Sequence, residues 1–286
     1  MLKIANNPTL KGLAEFFPNI TYSTATGVDI KLDIVRPMTW ETDKESRFPL
    51  VVFIQGSAWH FPNTNFEMAQ LSMLAQQGYV VATVTHRSIA DGHAAPAFLK
   101  DVKTAMRFLR TNAAEYHIDT EKVYAFGTSS GGNTALLLGL TGDMEEFRTE
   151  EYPDVSDHVD AVIDCFGPTN IMDFLEGFPM EMIENMPEDN IFSLFCGGKF
   201  NLELAQKMSP INYVTEGRDY VPFLIAHGDV DPVVSIKQSE RMVKRLEECG
   251  ADVSFVVVEG AEHEGSFWSQ HLWDIFKSFL DKQAGK

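Results

Sequence analysis

The segment Val123-Tyr124-Ala125-Phe126-Gly127-Thr128-Ser129-Ser130-Gly131 decides the fold. Its first four residues have the character of a short buried strand, and the apolar run Thr134–Leu140 that follows has the composition of a helix. Glycines two positions before and two positions after Ser129 let the chain turn sharply, which lifts the serine Oγ above the sheet at a helix N-terminus. The segment therefore predicts a strand, a tight turn and a helix, with Ser129 as the candidate nucleophile.

The same glycines also belong to a second pattern. Residues 127–134 match the phosphate-loop pattern G-x-x-x-x-G-K-[ST] except at the lysine, which is replaced by Asn133. A phosphate loop uses that lysine to neutralise nucleotide phosphates, and asparagine provides no charge. We therefore favour the nucleophile turn over a nucleotide site.

Further runs rich in β-branched and aromatic residues share the character of this strand. With it, they make six predicted strands: Leu50–Ile54, Tyr79–Val84, Val123–Phe126, Val159–Ile163, Val221–Ala226 and Val253–Val258. Such nearly continuous apolar runs are typical of parallel strands that helices cover on both faces. Helical patterns lie between them, so the predicted fold class is α/β, with a mostly parallel central sheet flanked by helices. Two earlier segments, Ile20–Ser23 and Asp29–Val35, are predicted to add an antiparallel edge.

The chain contains no repeat, linker or low-complexity tract, so we expect one domain over residues 1–286. The periodicity breaks down at Gly167–Glu216, where Pro, Met and Phe are mixed with acidic residues. We interpret residues 167–216, approximately, as a small cap inserted at the loop edge of the sheet. Apolar residues of this cap and of the nearby loops are candidates for a pocket wall: Trp59, Phe61, Phe166, Met180, Met182, Met186, Phe192 and Phe195.

Composition limits the class of partner. The 286 residues are 44% hydrophobic and 22% charged, which is ordinary for a soluble globular protein. The balance of 23 Lys and Arg against 41 Asp and Glu gives a net charge of −18, which repels phosphate backbones and anionic lipid. Nucleic acid and membrane are therefore not expected partners. Three scattered cysteines indicate a reducing compartment, and Met1–Pro18 has no secretory pattern, so we expect a cytoplasmic protein.

A serine nucleophile needs a histidine within hydrogen-bond reach and an acid to orient that histidine. His263 follows the last predicted strand, which places it at the same sheet edge as Ser129, whereas the other seven histidines are interpreted as structural or surface residues. Asp229 and Asp231 follow the fifth parallel strand and are the candidate acids. Together with His227 they also form a His-x-Asp-x-Asp pattern, but a metal site would need further converging ligands. The chain order serine, aspartate, histidine is that of the α/β-hydrolase triad.

These features resemble the α/β-hydrolases, specifically the esterases related to hormone-sensitive lipase and the bacterial feruloyl and acetyl esterases. The resemblance covers most of the chain from about Ile20. In that group the acid lies in a H-G-x-x-D-x-x-V pattern, which is matched by His227, Gly228, Asp231 and Val234. The resemblance therefore implies Asp231 as the acid, with Asp229 as the alternative.

The same group has an H-G-G-G-[WF] segment after an early strand, and Gln55-Gly56-Ser57-Ala58-Trp59 occupies that place here. Only the first glycine and the tryptophan match. An oxyanion hole uses backbone N–H groups, which the other residues retain. We expect the N–H groups of Ser57 and Ser130 to hold the oxyanion, with Ala58 as an additional or alternative donor, and we expect Gly56 and Trp59 to contact the substrate. The two added β-carbons predict a tight acyl site that favours acetyl over long-chain esters.

The sequence thus predicts a serine carboxylic-ester hydrolase that works through an acyl-enzyme and needs no cofactor or metal. The resemblance implies short-chain, acetyl-type esters or feruloyl and other carbohydrate esters as substrates. Two alternatives stay open: a serine peptidase or formamidase-like amidase of the same fold, and a non-catalytic binding protein that keeps the fold. A homodimer also stays open, because an exposed apolar patch cannot be identified from the sequence.

Overall fold

The computed structural model describes residues 1–286, apart from the side chains of Met180 and Glu184. Its centre is an eight-stranded sheet with the strand order β1-β2-β4-β3-β5-β6-β7-β8. The strands are β1 Ala14–Ser23, β2 Ile30–Pro37, β3 Phe48–Ile54, β4 Val80–Val84, β5 Ile118–Thr128, β6 Ala161–Cys165, β7 Phe223–Gly228 and β8 Val253–Val258. β2 pairs antiparallel with both β1 and β4, and the pairs from β4 to β8 are parallel. The predicted α/β class, with a mostly parallel sheet, is confirmed.

Helices cover both faces of the sheet. They are α1 Met68–Gln76, α2 Ala97–Thr111, α3 Ala113–Tyr116, α4 Ser130–Leu140, α5 Met180–Glu184, α6 Ile191–Phe195, α7 Leu202–Lys207, α8 Ile236–Glu248 and α9 Gln270–Ala284. Because successive strand residues alternate in direction, Val52 packs with α2, α4 and α8 on one face, while Val51 packs with α1 and α9 on the other. In the described part of the chain, no helix combines the length and the apolar character that crossing a bilayer requires.

The outermost parallel strand differs from the prediction. β8 pairs with β7 along one side and forms the end of the described sheet, and its Val257 is 44% exposed. It is therefore not covered on both faces like the inner strands, whose residues are almost all buried. An apolar run alone did not distinguish an edge strand from a central one.

Short helices fill the segment between β6 and β7. Besides α5, α6 and α7 it contains 3₁₀ helices at Ile171–Leu175 and Pro210–Tyr213. Phe195 anchors this segment: its carbonyl accepts from the Ala95 N–H at 2.9 Å, and its ring lies 4.7 Å from that of Trp59. The segment therefore lies against the loops that follow β3 and β4. Its interpretation as a cap, within one domain, stays a prediction.

Candidate active site

The turn that carries Ser129 joins the carboxyl end of β5 to α4. Ser129 has φ of 49° and ψ of −123°, outside the regions that residues with a Cβ favour. A Cβ on Gly127 would lie 2.1 Å from the carbonyl oxygen of Gly131, and a Cβ on Gly131 would lie 2.0 Å from that of Ile54. The Ser129 N–H donates to the carbonyl of Cys165 on β6 at 2.9 Å. Close backbone approach thus requires both glycines and holds the strained serine in place.

Ser129, His263 and Asp231 form one hydrogen-bonded chain. Ser129 Oγ lies 3.0 Å from His263 Nε2, and His263 Nδ1 lies 2.7 Å from Asp231 Oδ2. An ionised carboxylate only accepts, so Nδ1 donates to it and Nε2 is left to accept the serine proton. The loops after β5, β7 and β8 meet here because parallel strands end at the same edge of the sheet. This arrangement is able to activate Ser129 as a nucleophile.

The side chain of Asp231 is buried among N–H groups. Besides His263, its Oδ2 lies 3.2 Å from His227 Nε2, and its Oδ1 accepts from the backbone N–H groups of Val233 at 2.7 Å and Val234 at 3.0 Å. Burial by itself raises the pKa of Asp231, but the contacts with His227, His263 and the backbone hold that pKa well below its usual range. Asp231 is therefore ionised at neutral pH and is able to stabilise an imidazolium at His263.

Asp229, the alternative acid, has a different environment. It is exposed, and its Oδ1 accepts from the Gly260 N–H at 2.6 Å. Across the described residues, no group of three or more His, Cys, Asp or Glu side chains is arranged to hold a metal ion, and this includes the His-x-Asp-x-Asp pattern. The geometry thus joins Asp231, and not Asp229, to His263.

The loop after β3 faces the serine turn at very short range. A Cβ on Gly56 would lie 2.7 Å from Ser129 Cβ and 2.8 Å from the Thr128 carbonyl oxygen. The Gly56 N–H donates to Thr128 Oγ1 at 2.8 Å, and the Ser57 N–H donates to Ser130 Oγ at 2.9 Å. The predicted donor Ser57 is therefore already hydrogen-bonded within the protein.

Ala58 and Trp59 continue this loop in an unusual backbone conformation. Both have positive φ, 51° and 58°, a region that residues with a Cβ rarely adopt. The N–H groups of Ala58 and Ser130 donate to no acceptor among the hydrogen bonds of the described residues. Of the predicted oxyanion donors, these two are available for a ligand.

A cavity of about 280 Å³ lies beside Ser129. Ala58, Trp59 and Ser130 form one side of it. The remaining wall is apolar and includes Phe174, Ile191 and Phe192 from the segment between β6 and β7, and Val233 and Val234 from the loop after β7. Ser129 thus lines a largely apolar cavity.

The predicted pocket-wall residues separate into groups. Trp59 and Phe192 line the cavity, whereas Phe195 is buried against Trp59. Phe166 packs against the His263 ring at 4.5 Å, and Phe61 lines a second cavity beside Arg87. Met182 is 56% exposed, and the side chain of Met180 lies outside the described residues.

Two more carboxyl groups, Glu264 and Glu67, lie close enough to influence each other's charge. Glu264 follows His263 in the chain, and Glu264 Oε2 accepts from Trp268 Nε1 at 2.7 Å. Glu67 lies next to the first residue of α1, and its two buried carboxyl oxygens have no hydrogen-bond partner within the described structure. Burial, reinforced by the charge of Glu264, raises the pKa of Glu67 to about 8. Glu67 is therefore mostly protonated at neutral pH.

Several contacts of the site were not predicted from motif or periodicity. The spacing of His227 four residues before Asp231 is the signal that could have indicated their contact. Nothing local in the sequence brings Glu67 near Glu264, or Phe174 near Ser129. Those contacts depend on how distant loops converge at the sheet edge.

The chain is similar to one known family and to several known proteins. Residues 32–246 match the family described as BD-FAE. Esterase LipC of Mycobacterium tuberculosis is 31% identical over 75% of this chain and 52% of its own length. A truncated carbohydrate esterase from gut microbiota has a TM-score of 0.79 at 26% identity and covers 98% of this chain and 100% of its own. A bifunctional GH43-CE protein of Bacteroides eggerthii also has a TM-score of 0.79, at 30% identity over 94% of this chain and 38% of its own.

The chain spans about half the length of the curated relatives that it matches first, with shares of 52%, 52% and 50%. The family match nevertheless extends from β2 into α8 and so contains the serine turn and the loop with Asp231. On that match and on the shared fold, the chain belongs to the BD-FAE family, within the α/β-hydrolases of the hormone-sensitive-lipase-like esterase group.

Proposed function

We propose that the protein is a serine carboxylic-ester hydrolase that acts through an acyl-enzyme intermediate. The observation that carries this proposal is the chain of hydrogen bonds from Ser129 Oγ through His263 to Asp231, at 3.0 and 2.7 Å. The names of its relatives, an esterase and a carbohydrate esterase, support the same reaction class.

In the acylation step, His263 Nε2 takes the Ser129 proton while Oγ forms a bond to the ester carbonyl carbon. Asp231 stabilises the imidazolium that results. The carbonyl oxygen becomes an oxyanion, held by the N–H groups of Ser130 and Ala58, with Ser57 as the alternative donor. When the intermediate collapses, the ester C–O bond breaks and His263 returns the proton to the leaving alkoxide.

Deacylation repeats these transfers with water as the nucleophile. His263 takes a proton from water, whose oxygen attacks the acyl carbon, and then protonates Ser129 Oγ as the acyl bond breaks. The products are the carboxylic acid and free enzyme. The protons and electron pairs balance with the side chains of Ser129, His263 and Asp231 alone.

The cavity beside Ser129 supports the proposed substrate class. Ala58 lines this cavity at a position where the esterase group that the sequence resembles has glycine, and its β-carbon favours short acyl groups of the acetyl type. Phe174 and Phe192, whose rings lie 5.6 Å apart, offer an aromatic wall that suits a feruloyl group. We include carbohydrate esters because an acetyl or feruloyl group on a sugar presents a neutral substrate to this acidic protein.

The test is hydrolysis of p-nitrophenyl acetate, butyrate and decanoate and of a feruloyl ester, by the wild type and by Ser129→Ala, with and without a metal chelator. We expect acetate turnover that the chelator leaves unchanged and that falls by at least about 10³-fold in Ser129→Ala. We expect decanoate to react more slowly than acetate.

Other outcomes identify the alternatives. Turnover that persists in Ser129→Ala, or that the chelator abolishes, would contradict a serine mechanism. Faster cleavage of p-nitroacetanilide than of p-nitrophenyl acetate would indicate an amidase. Absence of both turnover and labelling by a fluorophosphonate would indicate a binding protein that keeps the fold. A higher rate on decanoate than on acetate would contradict the tight acyl site.

A further inference from the structure

Asp231 has a second histidine neighbour that the proposed mechanism does not use. His227 is the fifth residue of β7, and its side chain is completely buried. Its Nε2 lies 2.8 Å from the carbonyl oxygen of Val234 and 3.2 Å from Asp231 Oδ2, and its Nδ1 lies 2.7 Å from Ser239 Oγ on α8. Both ring nitrogens are therefore engaged.

These neighbours determine which nitrogen carries the proton. A carbonyl oxygen and an ionised carboxylate are both acceptors, so Nε2 must be protonated to face them. In the neutral ring, Nδ1 then accepts from the Ser239 hydroxyl. The Nε2–H donates to the Val234 carbonyl, and Asp231 Oδ2 lies 3.2 Å from the same nitrogen.

These contacts form a closed chain that links His227, Val234 and Asp231 in the loop after β7. His227 Nε2 donates to the Val234 carbonyl, and the Val234 N–H donates to Asp231 Oδ1 at 3.0 Å. Asp231 Oδ2 in turn lies 3.2 Å from His227 Nε2. His263 donates to the same Oδ2 at 2.7 Å. His227 thus braces the backbone of the loop and the carboxylate oxygen on which His263 depends.

We propose that His227 is a positioning residue of the triad, which keeps Asp231 Oδ2 in line with His263 and limits the negative charge that this oxygen presents to the imidazole. The proposal rests on the proposed serine esterase function. It assigns no contact with the substrate to His227.

The charged surroundings agree with this role. Besides Asp231 after β7, three titratable groups lie near His227 or Asp231: Asp164 on β6, and His263 and Glu264 in the loop after β8. Burial raises the pKa of Asp164 to about 7, although His227 and the Gly167 N–H oppose the rise. Asp231 is thus the carboxylate that stays fully ionised beside His227 at neutral pH.

The test uses a matched pair of variants. The amide nitrogen of glutamine reaches the place of Nε2, whereas asparagine reaches only the place of Nδ1. We expect His227→Asn to lower kcat for p-nitrophenyl acetate about 10- to 100-fold with KM unchanged, as the loss of a hydrogen bond to a charged group would do. We expect His227→Gln to stay within about 3-fold of the wild-type kcat. The acidic limb of the pH profile should move in His227→Asn and stay in place in His227→Gln.

A proton NMR measurement keeps the test independent of turnover. The Nδ1 proton of His263, hydrogen-bonded to Asp231, should give a downfield resonance that is kept in His227→Gln and displaced in His227→Asn. Ser239→Ala leaves His227 in place and removes its Nδ1 partner, so it provides the same readout if His227→Asn does not fold. In Ser239→Ala we expect a displaced His263 resonance and a kcat about 3- to 10-fold below that of the wild type.

Two results would overturn the proposal. One is an equal kcat in the asparagine and glutamine variants at equal unfolding midpoints, because His227 would then only fill space. The other is a wild-type resonance and kcat in both His227→Asn and Ser239→Ala. Failure of the esterase function itself would appear separately, as a wild type that does not turn over any ester while the NMR comparison still reports on His227.

Discussion

Asp231 and Glu67 are two carboxyl groups with buried oxygens in the same neighbourhood, and they have opposite ionisation behaviour. Asp231 is surrounded by four N–H groups, and its pKa is held well below the usual range despite burial. Glu67 has no hydrogen-bond donor among the described residues, and burial with the nearby Glu264 raises its pKa to about 8. Burial raises the pKa of both carboxyl groups, and the donors around Asp231 outweigh burial there, whereas Glu67 has no donor to oppose it.

Asp164 lies between these two extremes. It is completely buried and accepts one backbone hydrogen bond, from Gly167 at 3.0 Å, while its Oδ2 has no partner in the described structure. Burial raises its pKa to about 7, with His227 opposing the rise. Of these three carboxyl groups, Asp231 therefore provides the full charge beside His263 near pH 7.

The largest expected effect is the loss of activity when Asp231 is neutralised. Asp231→Asn keeps the shape of the side chain but removes the charge and favours the wrong tautomer of His263, so we expect kcat to fall about 10⁴-fold. Glu67→Gln, which neutralises a group that is already mostly uncharged at pH 7, should stay within about 3-fold of the wild type. Both are measured with p-nitrophenyl acetate. If Asp231→Asn kept more than a tenth of the activity, Asp229→Asn would be the next variant to assay.

A smaller effect is expected on stability when Glu67 is replaced. Because its pKa is near 8 when folded and near 4.3 when unfolded, the folded state holds a proton that the unfolded state has lost, so wild-type stability falls as the pH rises through this window. The free energy of unfolding of Glu67→Gln, relative to that of the wild type, should therefore be about 2–3 kcal/mol higher at pH 8.5 than at pH 5.5. Urea unfolding at both pH values measures it.

The control for that measurement is Glu262→Gln, at an exposed glutamate of the loop that carries His263. Its stability should follow the wild type within about 0.5 kcal/mol at both pH values. A Glu67→Gln variant that also followed the wild type would mean that Glu67 ionises normally and that the comparison with Asp231 fails.

The smallest effect is expected for Asp164→Asn. Wild-type stability again falls as the pH rises, but this fall ends near pH 7, the pKa of Asp164 in the folded state. The free energy of unfolding of Asp164→Asn, relative to that of the wild type, should therefore be about 1–2 kcal/mol higher at pH 8.5 than at pH 5.5. Comparing the two pH values removes any constant cost of placing an amide in this site. A gain larger than that of Glu67→Gln would reverse the order that the donor counts predict.

The sequence indicated the fold and the serine turn because their signals are local. The spacing of Gly127, Ser129 and Gly131, next to an apolar strand, contains most of the geometric requirement, and His263 follows from its place after the last strand. The choice of Asp231 over Asp229 depended on a family resemblance, since both follow the same strand.

Other parts of the site could not be predicted from the sequence for a physical reason. The Ser57 N–H is engaged by Ser130 Oγ, 73 residues away in the chain, and the ionisation of Glu67 depends on its burial and on Glu264, which lies in another loop. Such contacts arise when separate loops converge, and the periodicity of apolar residues in the sequence does not predict them. Donor availability and carboxyl charge are therefore properties of the folded site.

The positive φ values of Ala58 and Trp59 also affect how this protein can change. An L-residue in that conformation carries about 1–2 kcal/mol of strain, which glycine avoids. Substitutions that enlarge a binding cavity usually weaken a fold, but Ala58→Gly would remove a wall atom and relieve strain together. Position 58 is thus a place where the cavity beside Ser129 can be enlarged without a cost in backbone strain.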